Sequence, residues 1–157
     1  MRILYIATLF LLIGGCDTQK AINEFEEEAA LVPVGYTKTD RDGIILTSDD
    51  DDWRTSPLFF GKVRVDPAYP NPVPSGVVTV PVTVLEFNAV QGGLVLRARD
   101  GTGRLVAVDD IPDAANPGGY IFQFAPAILA QTGLIRVFVL DRIGNLISYG
   151  DIRVGEV

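Results

Sequence analysis

The chain of 157 residues contains no histidine. That removes the commonest general base, the commonest zinc ligand and the usual switch near neutral pH. Ser48, Ser56, Ser75 and Ser148 therefore have no imidazole to activate them. With a single cysteine, Cys16, no disulfide forms within the chain. Basic residues are scarce, 13 against 20 acidic ones for a net charge of −7. No basic stripe follows a phosphate backbone, so nucleic acid is not an expected partner. Long apolar runs are lacking too. Residues 3–13 form the longest, broken only by Thr8, and a bilayer-spanning helix needs about 20 such residues.

Arg2 precedes that run, and Gly14 and Gly15 follow it. A charged start, a short apolar stretch and small residues at the end read as a secretory signal over residues 1–15. The closing residues Ile13-Gly14-Gly15-Cys16 resemble the lipobox of bacterial lipoproteins. The resemblance implies cleavage before Cys16, diacylglycerol on its sulfur and anchorage in a membrane through that lipid. Each buried methylene contributes about 0.8 kcal/mol, so two or three acyl chains hold a protein almost permanently. Asp17 resembles the inner-membrane retention signal of enteric lipoproteins. The run Glu24, Glu26, Glu27 and Glu28 is reminiscent of surface-export signals in Bacteroidetes lipoproteins. The expected location is the cell envelope, with the outer membrane favoured over the inner.

Charge is unevenly spread. Residues 17–57 hold eleven acidic and four basic residues, whereas 58–157 hold nine and eight. Residues 16–57 therefore read as an acidic tether, which as a flexible coil of about 40 residues reaches on the order of 35 Å. Within it, residues 20–31 have helical composition with Ile22, Phe25 and Ala29 on one face, and Pro33 would end such a helix. Residues 43–47 read as a short strand that joins the sheet. Residues 38–49 resemble a calcium loop, with Asp40, Asp42 and a terminal Asp49 around Gly43. Lys38 occupies the first position, where a carboxylate belongs, and the run Asp49 to Asp52 offers oxygens instead. The bland reading of this stretch is a solvated acidic turn.

Residues 58–157 change character. Val, Ile, Thr, Phe and Tyr recur in short runs separated by Gly, Pro, Asn and Asp. Strands are expected at 58–66, 77–87, 94–99, 104–109, 120–125, 134–140 and 146–154. Tight hairpins are expected at 100–103 and 141–145. Pro81 inside the second strand suggests an edge position or a bulge, and residues 126–131 allow one helical turn. The fold class is all-β: a single immunoglobulin-like β-sandwich of about seven strands, behind a signal helix and an acidic tether.

The stretch Ala68-Tyr69-Pro70-Asn71-Pro72, the Asp-Gly-Thr-Gly-Arg hairpin from Asp100 and the later Thr-Gly-Leu-Ile-Arg-Val-Phe-Val strand are similar to the carboxy-terminal domains of type IX secretion cargo and to flagellar hook-cap immunoglobulin-like domains. The similarity covers roughly residues 67–154. It implies the fold and not a sorting role, because those domains follow a large passenger and end in basic residues, where Gly155-Glu156-Val157 stands here. Tyr69 and Asn71 then read as a structural turn closing one end of the sandwich.

Trp53, Phe59, Phe60 and Tyr69 cluster near the junction of tether and domain, where exposed aromatics would anchor a protein partner or stack on sugar. The adjacent Asp109 and Asp110 face opposite sides of a strand ahead of Pro112 and read as a solvated turn. No catalytic constellation assembles, so an enzyme is not expected. The expectation is a lipid-anchored structural or protein-interaction module of the envelope, with an envelope protein as partner and no cofactor beyond the lipid on Cys16. A surface module binding carbohydrate or calcium is the alternative.

Overall fold

The structure, a computed structural model, describes residues 14–155, with side chains described from Asp17 onward. Residues 1–13 of the expected signal, and the side chain of Cys16, lie outside the described residues. The described chain is mostly β, 41% strand in nine strands, with one α-helix. In chain order the elements are α1 (Gly14–Ala30), β1 (Lys38–Thr39), β2 (Ile45–Thr47), β3 (Val63–Val65), β4 (Val78–Val84), β5 (Leu94–Arg99), β6 (Leu105–Ile111), β7 (Gly118–Phe124), β8 (Gly133–Asp141) and β9 (Leu146–Val154).

Two sheets carry the architecture, ordered β3-β4-β7 and β6-β5-β8-β9, with β1-β2 as a separate ribbon. All pairings are antiparallel. Period-2 alternation turns one face of each sheet inward. Val80, Val82 and Phe122 of the first sheet share one buried core with Leu96, Val137 and Ile147 of the second. The result is an all-β sandwich of two layers.

The hairpin turns follow from aspartate chemistry. Asp100 Oδ1 accepts hydrogen bonds from the Thr102 and Arg104 amides and from Thr102 Oγ1, at 2.9, 3.0 and 2.6 Å. Asp141 takes the Asn145 amide on one oxygen and Asn145 Nδ2 on the other, each at 2.8 Å. A side chain that pairs with its own turn in this way fixes the reversal locally.

Three expectations are corrected. Residues 58–66 do not form one strand. Pro57–Phe59 is a 3-10 turn whose Leu58 amide is capped by Ser56 Oγ, and only Val63–Val65 is extended. Residues 43–47 do not join the main sheet, since β2 pairs with β1 alone. Pro81 lies in the central strand of its sheet, opposite Ile121. Its carbonyl accepts from the Asp66 amide at 3.0 Å, so its missing N–H also faces β3. That strand ends at Val65, one residue before the position where a donor would be used.

Strand β8 is buried along nearly its whole length, on both faces. A sheet with one face in water alternates apolar and polar residues, while an unbroken apolar run needs cover on both sides. Helix α1 supplies the second cover. Phe25 and Ala29 are buried against Phe138 and Tyr149, with Leu140 and Leu146 alongside.

Candidate functional site

The segment read as a tether is folded against the sandwich. Helix α1 places Phe25 and Ala29 four residues apart on its buried face, with Ala21 and Ile22 half-buried above them. Its outer face carries Lys20 and Glu24 at 3.5 Å and the exposed Glu26, Glu27 and Glu28. Phe25 tilts against the Tyr149 ring at 5.1 Å between centroids. Arg54 lies over the Phe25 ring at 5.8 Å and pairs with Glu28.

The carboxyl end of α1 is held by Arg136 of β8, whose side chain is 4% exposed. Its Nη1 donates to the carbonyls of Glu28 and Leu31, both at 3.0 Å. The Glu28 carbonyl also accepts from the Leu31 amide at 3.1 Å, and the guanidinium at this end opposes the negative pole of the helix dipole. Nε and Nη2 of the same guanidinium grip both oxygens of Asp151 on β9, at 2.8 and 2.6 Å. The guanidinium stacks on Tyr149 at 4.7 Å, and Asp51 stands 3.9 Å away. All five N–H groups of an arginine point in one plane, so one side chain ties helix, strand and acidic loop together.

Asp52 makes the next tie. One of its oxygens accepts from the Thr37 amide at 2.6 Å and the other from the Asp151 amide at 2.9 Å. Burial pushes this carboxyl up to about 7, although both amide bonds pull the other way. Burial also raises Asp151, against the pull of Arg136. The side-chain hydrogen bond with Asp51 raises Asp49.

Asn71 completes the cluster. It is fully buried, donates through Nδ2 to the carbonyls of Thr37 and Asp151, both at 2.9 Å, and accepts from the Arg153 amide at 2.9 Å. The peptide bonds before Pro70 and Pro72 are both cis. The Trp53 amide donates to the Tyr149 carbonyl, the Ser56 amide to Ile147 and the Val73 amide to Arg153, each at 2.8 Å. Together with Asp52 and Asn71 these cover the outer edge of β9, which would otherwise offer unpaired backbone groups to another chain.

The site residues expected from sequence fall in different places. Cys16 lies in the first turn of α1. Of the calcium candidates, Asp40 Oδ1 accepts from the amides of Asp42 and Ile44, both at 2.9 Å, closing the β1-β2 turn. Asp49 sits by Gly35 and hydrogen-bonds Thr37 through its backbone. Among the described residues no group of three or more metal-ligating side chains comes together. The aromatic platform is corrected. Trp53 and Phe59 are buried in the main core, and Trp53 lies flat on Gly150, where a Cβ would fall 2.2 Å from its ring. Tyr69 is half-buried, with its ring against Gly43. Phe60 alone of the four projects, at 80% exposure. Sequence reasoning missed the Arg136–Asp151 pair. Its signal was a lone arginine inside the apolar run of β8, matched by a lone aspartate in β9.

A scan against protein-family models finds no match to this chain, and searches of the curated proteins and of the solved structures find none either.

Proposed function

We propose that this chain is a lipoprotein of a bacterial cell envelope, anchored through Cys16 and carrying a non-enzymatic, immunoglobulin-like module for structure or protein interaction. The observation behind the anchor is the sequence Ile13-Gly14-Gly15-Cys16 closing a short apolar run behind Arg2. The small residues admit a processing enzyme, and the Cys16 thiolate displaces the head-group phosphate of a membrane phospholipid to form a thioether to its diacylglycerol.

The strand order supports the immunoglobulin-like reading. Lettered A to G from β3 to β9, the sheets are A-B-E and D-C-F-G. The constant-type immunoglobulin arrangement is A-B-E-D against C-F-G. The two differ only in strand D, which here has moved to the edge of C.

Expression in a bacterial host with cell fractionation tests the anchor. With a radiolabelled fatty acid in the medium, the wild-type chain is expected in the membrane fraction carrying label and a Cys16→Ser variant is expected to carry none. Equal labelling of the two, or a wild-type chain without label, would overturn the reading.

A further inference from the structure

We propose that the end of the sandwich from which α1 emerges is a membrane-contact face, seated on the lipid surface by Phe60, Phe87 and Ile143. The inference rests on the lipid anchor at Cys16.

Hydrogen bonds define that end. The Leu85 amide donates to the Lys62 carbonyl at 2.8 Å, and the Asn88 amide to Ala115 at 2.7 Å. The Arg142 amide donates to the carbonyls of Gln91 and Gly93. The loop before β3, the β4–β5 loop, the approach to β7 and the β8–β9 turn therefore meet at one end. The opposite end holds the β5–β6 turn, joined to the 126–129 turn by the Gly101 amide donating to Leu129.

The helix points its start at the first end. Its last turn is fixed at Arg136, near the beginning of β8. Ala21 lines a shallow pocket with Pro57, just past Ser56, which pairs with Ile147 near the start of β9. Residues 14–20 thus continue beyond the strands, and at 1.5 Å per residue they project by about 10 Å. The apolar run and Cys16 join the described chain there, so the anchor enters at this end.

That end also carries exposed apolar side chains. Phe60 is 80% exposed, Phe87 73% and Ile143 63%, with Leu85 and Leu58 beside them. The patch is carried on three connections around one rim, the approach to β3, the β4–β5 loop and the β8–β9 turn. Glu86, Lys62 and Arg142 lie among them. Aromatic and aliphatic tips mixed with charges suit the headgroup layer, where one end of a side chain is apolar and its surroundings are wet. With the lipid on Cys16, only residues 16–20 separate it from the rim, about 7 Å at 1.5 Å per residue, which keeps these tips within reach of that layer. The docked helix brings this about, because a free coil would let the domain turn any side to the membrane.

The test uses the full lipidated chain in vesicles of phosphatidylethanolamine and phosphatidylglycerol. With the Cys16 sulfur acylated, an introduced cysteine is the one free thiol. Phe60→Cys, Phe87→Cys and, at the opposite end, Ile128→Cys are each labelled with an environment-sensitive fluorophore. Blue-shifted emission and quenching by spin-labelled lipid are expected at 60 and 87, with a water-like spectrum at 128. Water-like spectra at all three positions in protein that floats with the vesicles would overturn the contact face and leave the anchor standing. Protein with an unmodified Cys16 that does not float would overturn both. Thermal melts of the variants, expected to match the wild type because all three residues are exposed, separate loss of contact from loss of fold.

Discussion

At the scale of single residues, one arginine decides how the amino-terminal segment sits. Arg136 is buried with Asp151 and holds the carboxyl end of a 17-residue helix. Removing one member of a buried pair leaves the other charged and unpartnered, which costs about 3–5 kcal/mol. Arg136→Ala should lower the urea midpoint accordingly. Arg64→Ala breaks an exposed pair with Asp66, 3.1 Å apart, and should change stability by less than about 1 kcal/mol. Similar losses from both variants would contradict the assignment of Arg136. Asp52 gives a second prediction. Its carboxyl lies near 7 in the folded state and near 3.8 unfolded. Between those values the folded chain binds the extra proton, so this group's contribution to stability is fully present below about 4 and is lost as pH rises through 7. The slope is at most about 1.4 kcal/mol per pH unit for one proton. A carboxyl-carbon NMR titration should place the Asp52 midpoint near 7; a midpoint below 5 would sink the claim.

At the scale of elements, α1 is held to the sheet by few contacts. Phe25 and Ala29 are its buried side chains, and a buried phenylalanine contributes about 1.5–3 kcal/mol. Phe25→Asp should release the helix and leave the sandwich folded. Limited proteolysis would then cut within residues 31–36, where Leu31, Val32 and Val34 are already exposed, while the fragment beyond stays resistant. Degradation of the whole chain at the same rate would show instead that helix and sandwich unfold as one unit.

The strands of the sandwich were legible because their signals are local. Residues 94–99 and 146–154 are strands over the lengths that apolar alternation and the Asp-Gly and Gly-Asn turns imply. The fate of residues 16–57 was not legible, because it depends on partners far along the chain. Asp52 meets Asp151 and Glu28 meets Arg136, contacts about one hundred residues apart. Charge counting alone reads four successive aspartates as solvated. The structure commits Asp52 to two backbone amides and sets Asp51 toward an arginine from another strand. Trp53 misled for a related reason, since its burial needs Gly150 opposite it, and nothing near residue 53 announces that glycine.

At the scale of the whole molecule, the proposed lipid anchor, the docked helix and the apolar rim belong together. An anchor at Cys16 would bring the start of α1 to a membrane, the Arg136 cap fixes α1 to the sheet, and the rim lies at the same end as that start. The covered edge of β9 keeps that side of the sandwich from pairing with another chain. The proposed anchorage starts at Cys16. Mass spectrometry of the amino-terminal peptide from protein recovered out of membranes tests it most directly. The peptide should begin at Cys16 and carry the mass of diacylglycerol on its sulfur. A peptide that extends upstream of Cys16, or one with a free thiol at that residue, would contradict the account.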